Sequence, residues 1–108
     1  MAQDFERDIA RQIGTSATTL RTADSDDALV GISLANIVAT QILVDVYITS
    51  SANDYYLGKS IPIPAGASLQ LLDGGAKVVL QTGDALKIVS DTANSLDAWV
   101  SVVDSIST

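Results

Sequence analysis

The sequence predicts an all-β protein, a small antiparallel β-sandwich of jelly-roll-like form with an N-terminal arm. Three observations predict it: apolar residues recur with period two, turn formers separate these runs at short intervals, and no convincing helical pattern follows residue 14. At 108 residues the chain has room for one core, burying roughly two-thirds of the surface its unfolded form exposes. The simplest partition is an arm over residues 1–14 and a sandwich domain over residues 15–108.

Taken in order, Phe5, Ile9 and Ile13 recur every fourth residue among Asp4, Glu6, Arg7, Asp8 and Arg11. That spacing suits one helix face, yet the three residues also share one strand face with Arg7 and Arg11, so either form is open. Ala17 to Thr22 is a short strand candidate, and the acidic turn Asp24 to Asp27 follows it. Ala28 to Ala35 alternates so as to send Val30, Ile32 and Leu34 inward. Gln41 to Thr49 is the clearest strand, with Ile42, Val44, Val46 and Ile48 inward and Leu43, Asp45, Tyr47 and Thr49 outward.

After the turn Ser50 to Asn53 comes a short candidate, Asp54 to Gly58. In Ile61-Pro62-Ile63-Pro64 each proline holds its neighbour extended and removes a ladder donor, which suits an edge strand or a crossing between sheets. Ile63-Pro64-Ala65-Gly66 then reads as a type I turn. Asp73-Gly74-Gly75 and Gly83-Asp84 read as turns around a strand at Lys77 to Gln81. Ala85 to Ser90 sends Leu86 and Ile88 inward, and Leu96 to Val103 sends Ala98, Val100 and Val102 inward. Trp99 then shares the outward face with Asp97, Ser101 and Val103.

The chemistry of the chain argues against catalysis. It has no His and no Cys, which removes the common general base, the common zinc ligands, the thiol nucleophile and any disulfide. Asp24, Asp26 and Asp27 lack the glycine and distal glutamate of a calcium loop and read as a solvated turn. Asp45, Asp84 and Asp97 are candidates for an acid–base pair, but Asp45 and Asp97 alternate with apolar residues and point outward into solvent. No helix follows the glycines to make a phosphate cradle. Lys59, Lys77 and Lys87 are isolated cations. No catalytic, cofactor-binding or metal-ligating residue is expected.

Thirteen acidic against six basic residues leave a net charge of −7, which repels nucleic acid and anionic lipid alike. No apolar run reaches the ~20 residues of a membrane-spanning helix. The first thirteen residues lack the pattern of a secretory signal, so synthesis inside the cell is expected. The more informative feature is apolar residues where alternation points outward: Leu43 and Tyr47, Val89, and Trp99 with Val103. Ile37-Val38-Ala39 adds an apolar stretch where a polar turn is expected. A contiguous exposed patch of this kind marks a protein interface.

The motifs also come in a familiar order. Ile13-Gly14-Thr15-Ser16-Ala17-Thr18-Thr19-Leu20 is followed by Val30-Gly31-Ile32-Ser33-Leu34-Ala35-Asn36 and Val44-Asp45-Val46-Tyr47-Ile48-Thr49. Then come Asp54-Tyr55-Tyr56-Leu57, Ile61-Pro62-Ile63-Pro64-Ala65-Gly66 and Lys77-Val78-Val79-Leu80-Gln81-Thr82-Gly83-Asp84, ahead of a valine-rich last strand. The series resembles a family of roughly hundred-residue virion structural proteins of tailed phages, notably those of cyanobacteria, over nearly the whole chain.

The resemblance implies a multi-copy accessory of the particle, with no catalytic residues and no cofactor. The expected role is a capsid cement or decoration protein that binds the assembled major capsid protein, made in the host bacterial cytoplasm and resident in the virion. Alternatives are a neck, collar or tail component, or a glycan-binding sandwich on a fibre using Tyr55, Tyr56 and Trp99. A homo-oligomer is expected, with no nucleic acid and no membrane partner. The interface candidates are Phe5, Ile9, Ile13, Ile37, Val38, Tyr47 and Trp99, since aromatic residues anchor interfaces. Ile37-Val38-Ala39 departs from the small polar residues the family resemblance leads one to expect.

Overall fold

The computed structural model describes residues 4–104; residues 1–3 of the expected arm and the polar tail 105–108 lie outside this range. The order is β1 (Asp4–Ile13), β2 (Thr18–Thr22), β3 (Asp27–Asn36), β4 (Ile42–Ser50), β5 (Asn53–Ile63), β6 (Ser68–Leu80), β7 (Ala85–Ser90) and β8 (Leu96–Asp104). They form two four-stranded sheets, a first of order β1-β8-β3-β6 and a second of order β2-β7-β4-β5. Every pairing is antiparallel.

This order has a simple physical description. The first half of the chain, β1 to β4, runs antiparallel against the second half in reverse, giving the pairs β1·β8, β2·β7, β3·β6 and β4·β5. Rolling that long ribbon adds the pairs β3·β8 and β4·β7 and stacks one sheet on the other. The result is a jelly roll, the all-β sandwich the sequence leads one to expect, with a strand order that alternation does not give. The ribbon's tip is the β4–β5 hairpin, a two-residue loop at Ser51 and Ala52 between paired Ser50 and Asn53. Both loop residues have positive φ, 51° and 66°, the twist a type I′ hairpin requires.

The core lies between the sheets. Ile42, Val44, Val46 and Ile48 of β4 and Leu86 and Ile88 of β7 face Leu29, Ile32 and Leu34 of β3 and Leu96, Ala98, Val100 and Val102 of β8, all buried. Each large side chain so buried contributes about 1.5–3 kcal/mol relative to exposure. Ile63 and Leu80 close the ends.

Bulges account for the differences from the alternation pattern. Val30 does not lie in the core: the ladders on both sides of β3 shift between Leu29 and Gly31, so Leu29 takes the inward position. Asp73-Gly74-Gly75 is no turn; it continues β6, where Asp73 stands opposite Gly31. The turn after the prolines sits one residue later than expected, with the Ala67 amide donating to the Pro64 carbonyl at 3.0 Å. Gly66 then occupies the third position at φ 69°, a left-handed conformation that suits glycine. Ile61-Pro62-Ile63 does run along an edge strand, β5.

Residues 4–13, set apart by composition as an arm, form β1, an edge strand of the first sheet paired along β8. Its register shifts between Ala10 and Ile13, where Gln12 has φ 55° and its amide donates to Asp97 Oδ1 at 3.0 Å. The extra residue reverses the face. Phe5 and Ile9 therefore point outward, while Ile13 turns into the core at 2% exposure. The three do not share a face.

Candidate docking surfaces

The outward face of the first sheet is built from alternate residues of three strands. Ile9 of β1, Trp99 of β8 and Ser33 of β3 stand in register across it, and Asp97 stands opposite Ala35. Because β3 offers only Gly31, Ser33 and Ala35 on this side, the centre of the face is low. A largely apolar depression of about 340 Å³ results, lined in part by Ile9, Arg11, Ala35, Asp97 and Trp99. Trp99 is 51% exposed and Phe5 85%. The Arg7 guanidinium covers part of the indole, 5.0 Å from its centroid. Val79 adds a further exposed apolar side chain on β6.

The outward face of the second sheet carries a different cluster. Tyr47 and Tyr56, opposite one another on β4 and β5, have ring centroids 5.0 Å apart, and Lys59 Nζ lies 4.8 Å from the Tyr56 ring. Burial, reinforced by the negative charge of Asp54, by the neighbouring Tyr56 and by Asp45, raises the Tyr47 phenol above its ordinary value of 10.0. On this face Leu43 is exposed and Tyr47 half-buried, while Tyr55, opposite Ile48, is exposed on the other side of β5. A bulge lies beside this cluster: Asp45 Oδ1 accepts from the Ser60 amide at 2.7 Å, with Ser60 at φ 52°. At Gly58 a Cβ would meet the end of the Ile61 side chain, which would have to move aside.

Of the remaining candidates, Ile37 is exposed and Val38 packs partly against the core. Asn36, which alternation does not single out, organises this loop from a buried position. Its Nδ2 donates to the carbonyls of Thr40, Ile63 and Pro64 at 2.8, 2.9 and 3.1 Å, and its Oδ1 accepts from the Val38 amide. An asparagine closing a strand was the only signal available in the sequence.

The acidic turn differs from its expectation. Asp27 is not solvated but fully buried, and its Oδ2 accepts from Arg21 Nε at 2.8 Å. Arg21 also pairs with Glu6 at 3.0 Å, Asp8 at 3.2 Å and Asp104 at 3.4 Å, so one guanidinium fastens β2 to β1, β3 and β8. Burial opposes its charge, but the hydrogen bonds it donates to Asp27, Glu6 and Asp8 outweigh that and hold its pKa above the ordinary arginine range. Carboxylate oxygens of Asp24, Asp27 and Asp104 lie within 4.8 Å of one another, and Arg21 is the cation that two of them hold. Asp45, Asp84 and Asp97 do not form an acid–base pair; each caps a different backbone amide, of Ser60, Gln81 and Gln12.

No family model and no curated protein matches the chain. Among solved structures, a chain of the T13 particle of infectious bursal disease virus aligns with 95% of this chain and 31% of its own length, at TM-score 0.57 and 13% identity. A chain from the Gx strain of that virus aligns with 99% of this chain and 32% of its own, at TM-score 0.52 and 13% identity. A chain from Bacillus endospore appendages, described as disulfide-linked pili, aligns over 94% of this chain and 84% of its own, at TM-score 0.56 and 13% identity. This chain thus spans about a third of the viral chains and most of the appendage chain. At this identity the likeness is one of fold, a β-sandwich shared with chains of a viral particle and of a surface appendage.

Proposed function

We propose that this chain is a structural protein of a virus particle, and within that class a cement or decoration protein of a tailed phage that binds the assembled major capsid lattice. The observation that carries the reading is large apolar side chains exposed on the outward faces of both sheets, Phe5, Ile9 and Trp99 on one and Leu43 and Tyr56 on the other. The fold already closes around its own core, so these residues are surplus to folding. A protein that ties neighbours together needs more than one such surface. The fold likeness to viral-particle chains supports the class. With no cysteine in the sequence, its attachment involves no disulfide, unlike that of the appendage pili.

The mechanism is linkage. A protein that binds the assembled lattice and not its free subunits stabilises the lattice by mass action, and contacts through two faces convert the second contact into an intramolecular one. No catalytic step is part of this reading, consistent with a sequence free of histidine and cysteine. Quantitative mass spectrometry of purified particles tests it. Copy numbers in the hundreds, with stripped particles less stable to heat and regaining stability when the protein is added back, are the expected result. A small symmetric multiple would assign the chain to the neck or tail instead, and absence from particles would overturn the virion reading.

A further inference from the structure

We infer that the outward face of the first sheet is a two-fold contact between copies of this chain, with Trp99 of each copy seated in the depression beside Ile9 and Ala35 of the other. This inference assigns one of the two faces invoked above and rests on the proposed structural role only for its purpose, not for its geometry.

The face is self-complementary in shape. A two-fold contact requires one surface to carry both halves of each interaction. Here the half-exposed indole stands directly beside the shallow hollow that the small side chains of β3 create. The face is also self-complementary in charge. Arg11 and Asp97 line the same hollow, on the neighbouring strands β1 and β8, and so give one face both signs of charge in a chain whose net charge is −7. Arg11 has no ion partner among the described residues, and Asp97 uses Oδ1 for the Gln12 amide, leaving its other oxygen for a cation. Rotating one copy by 180° over the other brings each Arg11 towards the partner's Asp97, so two ion pairs flank two buried indoles. Arg7, stacked on Trp99, extends the apolar contact with its methylene stem.

The area suffices. The molecule measures 45 × 27 × 20 Å, and the thin axis matches two stacked sheets. The remaining two dimensions offer a face larger in projection than the roughly 800 Å² per partner that stable interfaces bury. Other surfaces satisfy fewer of these conditions: the second sheet's Lys59 is paired with Asp45 and stacked on Tyr56, and no hollow adjoins its tyrosines among the described cavities.

The test uses the full chain in solution, with mass measured by light scattering or equilibrium sedimentation. The wild type is expected to show a concentration-dependent approach to twice the monomer mass of 11.2 kDa. Trp99 emission should move to the blue and resist iodide quenching over the same range. Arg11→Asp and Asp97→Arg, each alone, should remain monomeric, because each creates like-charge pairs at both ends of the contact. Mixing the two variants should restore the dimer, since every pair across that heterodimer is again of opposite sign.

Rescue on mixing reports a contact between chains; a merely local role for either residue would not produce it. Asp97→Arg also removes the cap on Gln12, so melting of each variant is measured alongside. If that variant is unfolded, Ala35→Trp, which fills the hollow and leaves the cap intact, takes its place and should be monomeric and folded. A wild type that stays monomeric at millimolar concentration, or charge variants that dimerise unmixed, would overturn the inference. Failure here leaves the particle copy number unaffected, so the two readings fall separately.

Discussion

Replacing Arg21 by methionine removes the guanidinium that faces a fully buried carboxylate. Asp27 is 0% exposed and takes its 2.8 Å hydrogen bond from Arg21 Nε, while the same guanidinium reaches Glu6, Asp8 and Asp104. Removing one partner of such a pair costs about 3–5 kcal/mol, since the remaining carboxylate stays buried without its cation. Against a total stability of roughly 5–15 kcal/mol this is a large fraction. For a domain of this size it lowers the melting temperature by about 15 °C or more.

Arg21→Lys keeps the charge but not the fork, and should lose roughly 1–3 kcal/mol. Lys59→Met is the control: its 3.5 Å pair with Asp45 is 62% exposed on the lysine side, and removing it should cost about 0–1 kcal/mol. Urea unfolding followed by circular dichroism measures all three. An Arg21→Met loss no greater than that of Lys59→Met would show that Asp27 is hydrated in the folded chain and that the clasp does not hold the strands.

On β4, Val46→Ala should cost about 1–3 kcal/mol, because Val46 is fully buried, whereas Tyr47→Ala should cost less, since Tyr47 points away from the core; equal losses in thermal unfolding would refute that assignment. In the β4–β5 hairpin, Ser51 and Ala52 hold positive φ without the residues that prefer it, so changing the pair to Asn-Gly should raise stability by about 1 kcal/mol in urea. Tyr47 gives a pH dependence: its raised pKa means the folded state holds the phenolic proton more tightly, so its contribution is intact below 10.0 and is lost as pH rises beyond that value towards the folded one. Tyr47→Phe should flatten that part of the stability profile, and an unchanged slope in alkaline melts would show that Tyr47 does not contribute to it.

The sequence by itself determined the fold class, most of the core and the outward position of the tryptophan. Alternation reports which side of a strand each residue takes, and that information is local. It was sufficient wherever the ladder is regular, as from Ile42 to Ile48, at Leu86 and Ile88, and from Ala98 to Val102. Two prolines marked β5 as an edge because a missing amide is a local fact too. Only the tertiary structure decided the rest.

The bulges at Gln12 and at Val30 depend on what the partner strand allows, so Ile13 moved from an exposed candidate to the core and Val30 left it. Asp73-Gly74-Gly75 has turn composition, yet pairing with β3 carries the strand through it. Asp27 looked like one more acid in a solvated turn until the roll brought Arg21 of β2 beside it, and Asn36 gained its role from the carbonyls of Ile63 and Pro64. Strand order, and with it the meeting of Arg11, Asp97 and Trp99 on one face, comes from pairing residues some ninety positions apart, which no local pattern encodes.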